Sequence, residues 1–78
     1  MKFEWNESKA AANLAKHQVS FEEAQTVFED PLYVDFYDPD HSLDEHRYII
    51  IGESEQGRLL MVSYTEIGDT IRIISSRD

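Results

Sequence analysis

The sequence predicts an α+β domain ordered β-α-α-β-β-β-β, with two N-terminal helices packed on one face of an antiparallel sheet. Three observations predict it. Helical periodicity is confined to the stretch before Pro31, and after it the apolar period switches to two. The connections between the later apolar segments are too short for anything but antiparallel neighbours. The 78 residues make one domain, 1–78, and a chain this short buries only about 60% of the surface its unfolded form exposes.

Phe3-Glu4-Trp5 alternates and reads as a short strand. Asn6 caps a helix over Glu7 to Lys16, which is alanine-rich and free of β-branched residues. Ala10, Leu14 and His17 mark its apolar stripe. Ser20-Phe21-Glu22-Glu23 forms a capping box in which the Ser20 hydroxyl accepts from the Glu23 amide and the Glu23 carboxylate reaches back to Ser20. Phe21, Ala24, Val27 and Phe28 then share one helical face, and Asp30-Pro31 stops the helix.

Leu32, Val34 and Phe36 alternate with Tyr33, Asp35 and Tyr37, as in a half-buried strand. Asp38 to Glu45 is a polar turn region. Arg47-Tyr48-Ile49-Ile50-Ile51 is apolar in both registers and reads as a central strand. Glu53 to Gly57 turns the chain into a strand from Arg58 to Thr65. Glu66 to Asp69 connects that strand to the last, Thr70 to Ser75. Trp5, Phe21, Phe28, Phe36 and Tyr48 are candidate core, while Tyr33, Tyr37 and Tyr64 read as core or rim packing, with stacking surfaces as the alternative.

Composition excludes several classes. The chain has no cysteine, so disulfide scaffolds, thiolate zinc sites and cysteine nucleophiles are out. No apolar run approaches a membrane span and no signal-peptide pattern opens the sequence, which makes the cytoplasm the expected compartment. Seven Lys and Arg against sixteen Asp and Glu give a net charge of −9, a field that disfavours diffuse binding to nucleic acid but leaves room for a local basic pocket. No phosphate loop, nucleophile elbow or paired-carboxylate motif is present, and no cofactor is expected. Asp38, Asp40, Ser42 and Asp44 mimic the start of a calcium loop, but Leu43 and Ile49 stand where glycine and a bidentate glutamate are needed. His41 and His46 among Asp40, Asp44 and Glu45 read as a solvated loop rather than a metal site.

If the helices cover Leu60, Val62, Ile71 and Ile73, the other sheet face carries Arg72, Ser63 and Thr65, with Arg47 joining if register permits. An arginine flanked by hydroxyls suits a phosphate, because guanidinium donates in a planar fork and does not deprotonate. A salt bridge to one of the many carboxylates is the competing reading. Lys16-His17 offers a cation and a general acid/base, against the plainer role of complementing the negative end of a helix.

These residues resemble the BrnT family of ribonuclease toxins from bacterial type II toxin–antitoxin systems. The resemblance runs through Phe3 to Lys9, Asn13 to Ala24 with its Lys-His-x-Val-Ser-Phe-Glu-Glu-Ala segment, Val27 to Pro31, Glu45-His46-Arg47, Gly57 to Leu60, and Ile71 to Arg77. It implies a RelE/ParE-like fold and metal-independent RNA cleavage that inhibits translation. It also implies neutralisation by a BrnA-type antitoxin, which joins the toxin in binding promoter DNA. Carried onto this chain it assigns oxyanion stabilisation to Arg72 and Arg77, phosphate positioning to Arg47, and proton transfer to His17. Lys16, Ser63 and Thr65 complete the expected RNA contacts.

Three features depart from the family pattern. A basic C-terminal helix is expected where this sequence ends at Asp78, Ile67 stands where arginine is frequent, and the chain is acidic. They set an alternative expectation: an attenuated or inactive toxin-fold module that acts by binding an antitoxin-like protein. Sheet surface left bare by such a helix would be buried by that partner or in a homo-oligomer.

Overall fold

The computed structural model describes residues 1–78. Strand β1 (Lys2–Glu4) leads into helix α1 (Glu7–His17) and helix α2 (Phe21–Thr26), which tightens into a 3₁₀ turn at Val27–Glu29. Strands β2 (Val34–Tyr37), β3 (Arg47–Glu53), β4 (Leu59–Ile67) and β5 (Thr70–Arg77) follow, with a second 3₁₀ turn at Pro39–His41. All five strands form one sheet in the order β1-β5-β4-β3-β2. The antiparallel sheet expected from sequence is corrected to a mixed one, since β1 lies parallel to β5 with Phe3 beside Ile71. A parallel neighbour needs a long crossover, and everything between β1 and β5 serves as one. The other three pairings are antiparallel.

Val19, Phe21, Ala24 and Val27 pack on Ile50, Leu60, Val62, Tyr64, Ile71 and Ile73 to make the core. The expected core position of Phe36 is corrected, for it is 46% exposed on the edge strand β2. Of the three tyrosines read as core or rim, Tyr64 is core: it is buried, stacks on Tyr48, and donates its hydroxyl to Asp35 at 3.1 Å. That burial, with the negative charge of Asp35 second, pushes its phenol above the ordinary tyrosine range.

Two buried polar residues join helices to sheet. Asn13 replaces Leu14 on the inner stripe of α1: Asn13 is buried and Leu14 is 51% exposed. The Asn13 amide donates to the carbonyls of Val19 at 2.9 Å and Ser76 at 2.8 Å, and its oxygen accepts from the Ser76 N–H at 3.1 Å. Because β1 pairs with β5 only as far as Arg72, the β5 edge at Ser76 has no strand beside it. The side-chain amide stands in for the missing ladder partner.

Glu23 is the second. Ser20 caps α2 as expected, accepting from the Glu23 amide at 3.0 Å. The return half of the capping box does not form, because the Glu23 carboxylate is buried and bonded elsewhere. It accepts both arms of the Arg58 guanidinium and the Ser54 hydroxyl, the last at 2.6 Å. Arg58 hydrogen bonding holds its pKa below the usual carboxylate range against the opposing effect of burial. This group ties α2 to the β3–β4 turn.

The open face owes its layout to one irregularity. Ser63 pairs with Ser75 but Tyr64 pairs with Ile73, so Ile74 is an extra residue in β5. Arg72 and Arg77 are five apart and would point to opposite faces of a regular strand; the bulge restores them to the same face.

Candidate active site

A groove of about 370 Å³ crosses the sheet face away from the core. Ile49, Met61 and Ile74 make its apolar floor, and Lys16, His17, Arg47, Arg77, Ser63 and Ser75 stand around it. Register explains the gathering. Met61 pairs with Arg77 and Ile51, and Ser63 with Ser75 and Ile49, so one face of three strands contributes in successive rows. Lys16 and His17 reach it from the last turn of α1. His17 lies four residues after Asn13 and so on the same side of the helix, which the Asn13–Ser76 hydrogen bonds hold against the strand end bearing Arg77.

Arg47 is half-buried at one wall. Its Nε is buried without a hydrogen-bond partner, and the closest acid, Glu45, stands 3.6 Å away. Arg77 is exposed and forms no ion pair. Arg77 is thus the cation an incoming anion would meet with no acid to displace, while Arg47 lines the same groove with Glu45 beside it.

Two expected site residues lie apart. Arg72 occupies the open face in the row Arg72–Thr65–Arg47, but its Nε donates to Glu4 at 2.7 Å and it lines a neighbouring hollow with Trp5 and Lys9. Thr65 is 3% exposed and its hydroxyl donates to the His46 carbonyl at 2.6 Å. It therefore braces the start of β3 and has no donor left for RNA. The fourth arginine, Arg58, is committed to Glu23 at the helix side of the sheet.

Two residues that the sequence left to a polar turn region line the same groove, Asp38 and His41. The signal was Asp-Pro-Asp-His: proline at the first position of a 3₁₀ turn, whose i and i+3 side chains eclipse. His41 Nδ1 lies 2.8 Å from Asp38 Oδ2. His46 turns instead to the Tyr37 hydroxyl at 3.2 Å.

Cations and imidazoles are thus gathered over one face of the sheet in a small α+β domain. The model of the family described as the ribonuclease toxin BrnT of type II toxin–antitoxin systems matches residues 5–78. The crystal structure of the Brucella abortus ribonuclease toxin BrnT, determined at 1.1 Å, superposes with a TM-score of 0.71 at 26% identity, over 99% of this chain and 94% of that one. No match is found among curated protein sequences. The chain belongs to the BrnT family of ribonuclease toxins. No helix is long and apolar enough to cross a membrane.

Proposed function

We propose that this chain is an RNA-cleaving toxin of RelE/ParE-like type that acts without a metal, inhibits translation, and is silenced by a BrnA-type antitoxin with which it binds promoter DNA. The observation that carries this is the convergence of Lys16, His17, Arg47 and Arg77 on one groove. Cleavage proceeds by attack of a ribose 2′-hydroxyl on the adjacent phosphorus. Arg77 and the Arg47 guanidinium, which both line the groove, donate to the phosphoryl oxygens as charge builds there. Lys16 and Ser63 hold the flanking backbone, and His17 transfers a proton. The oxyanion role moves from Arg72 to Arg47 beside Arg77, since Glu4 occupies Arg72; Arg72 becomes an outlying phosphate contact.

One observation favours a second reading. Glu4 and Glu45 stand against Arg72 and Arg47, so the chain screens two of its own cations, as suits a toxin-fold module that works by holding an antitoxin-like protein. Expression from a tightly controlled promoter separates the two. The toxin reading expects growth arrest that Arg77→Ala abolishes and Arg72→Ala only weakens. Stable growth together with a stoichiometric co-purifying protein would select the binding module.

A further inference from the structure

The proton-transfer chemistry of this groove requires two groups, one to take the 2′-proton and one to protonate the leaving oxygen. His17 supplies one imidazole. The loop between β2 and β3 supplies another, and its construction is that of a fixed element. The Asp38 N–H donates to the Arg47 carbonyl at 2.8 Å, the Ser42 hydroxyl donates to the Asp38 carbonyl at 2.6 Å, and the Arg47 N–H donates to the Ser42 hydroxyl at 3.0 Å. Both ends of the loop are thus pinned to the arginine that walls the groove. Within it the Asp38 side chain is 13% exposed and that of His41 67% exposed, with 2.8 Å between Oδ2 and Nδ1. A shielded carboxylate holding Nδ1–H fixes the tautomer and leaves the Nε2 lone pair open.

We propose that His41, oriented by Asp38, is the general base of this groove, and that it works opposite His17 as general acid. The proposal rests on the ribonuclease reading and deepens it. His41 Nε2 takes the proton of the 2′-hydroxyl while that oxygen bonds to phosphorus. The P–O5′ bond breaks as His17 gives its proton to the 5′-oxygen. The products are a 2′,3′-cyclic phosphate and a 5′-hydroxyl, one proton has been taken and one given, and no co-reactant is consumed. Asp38 is a positioning residue that compensates the imidazolium formed on His41.

The charged groups facing His41 come from three elements. Lys16, His17 and Arg77 lie across the groove, and Arg47 stands beside it. Its own loop brings Asp40, Asp44 and Glu45 around the outer side, where His41 and Arg47 also line a second hollow. The base therefore sits at the border between the cationic floor and the acidic loop.

The test is the pH dependence of RNA cleavage by the full chain and its His41→Gln, Asp38→Asn and His17→Gln variants. His46→Gln serves as a control outside the groove. His41→Gln is expected to lower kcat by about 10²–10⁴, to erase the acid limb of the profile, and to leave binding of a 2′-deoxy-substituted oligonucleotide unchanged. His17→Gln is expected to erase the alkaline limb instead, and Asp38→Asn to lower kcat by at least about tenfold with the acid limb displaced. A His41→Gln enzyme with the parental rate and profile overturns the proposal. Titration with a nucleoside 3′-monophosphate, read on the histidine ring resonances, keeps the test independent of turnover. Shifts at both His17 and His41 support the paired site, and a bound nucleotide that leaves His41 unmoved overturns it. If the parent cleaves no RNA yet shifts both rings, the ribonuclease reading and the base role fail together and only the anion site stands.

Discussion

At the scale of single residues, the fold is held by polar groups whose partners are remote in sequence. Glu23 reaches Arg58 and Ser54 from a helix to a hairpin turn. Its carboxyl titrates below the ordinary range in the folded chain, so its stabilisation is full above its unfolded value, about pH 4.3, and disappears as pH falls through the folded value. Denaturant midpoints measured from pH 7 to pH 3 should fall in the parent and much less in Glu23→Gln, which starts lower. Glu23→Ala is expected to cost about 3 kcal/mol at neutral pH, since it strips a buried pair of one member. Gly52 is constrained by space: an added Cβ would meet Asp30 Oδ2 at 3.0 Å, Val27 at 3.1 Å and Tyr33 at 3.2 Å. Asp30 cannot yield, because it accepts from the amides of Glu53 at 2.7 Å and Leu32 at 2.9 Å. Gly52→Ala should therefore lower stability by about 1–3 kcal/mol in a urea melt.

At the scale of elements, what was legible in the sequence was local. The Asn6 and Ser20 caps act within three residues, and the structure has both. The alternation that puts Leu60, Val62, Ile71 and Ile73 beneath the helices also survives. The rest depends on partners the sequence does not reveal. Three residues of β1 are too few to show whether their neighbour runs parallel or antiparallel. Nothing local marks Asn13, beside Leu14, as the residue whose amide replaces a strand at the β5 edge. Nothing in Ile73-Ile74-Ser75 marks which residue bulges, although that choice sets the face of Arg77. Asp38-Pro39-Asp40-His41 did carry a turn signal, but the groove it faces forms only when β3, β4 and β5 pair. Asn13→Ala removes three hydrogen bonds at a buried strand end and should cost about 2–3 kcal/mol. Asn6→Ala, which removes an exposed cap, should cost about 1 kcal/mol. Thermal melts of the two variants check the order. Cleavage should also fall further in Asn13→Ala than its residual folded fraction explains, since Asn13 aligns His17 with Arg77.

At the scale of the whole molecule, a net charge of −9 surrounds one small cationic groove. The long-range field opposes RNA, and only contact-range donors favour it, so binding should weaken less steeply with salt than it does for basic nucleases. Fluorescence anisotropy with a 2′-deoxy-substituted oligonucleotide between 50 and 300 mM salt measures the slope; a steep one would mean more phosphate contacts than this groove provides. The same economy makes each cation important. Arg58 is locked on the helix side and Arg72 is held by Glu4, which leaves Arg47 and Arg77 as the arginines of the groove.

The most direct measurement is cleavage of a defined RNA by the purified chain in the presence of a chelator, with Arg77→Ala and Arg47→Ala compared at saturating substrate. Endonucleolytic products ending in 2′,3′-cyclic phosphate are expected, with kcat falling by about 10²–10³ in each variant. Intact RNA with the parent, or undiminished cleavage by both variants, would contradict a catalytic site built on these two arginines.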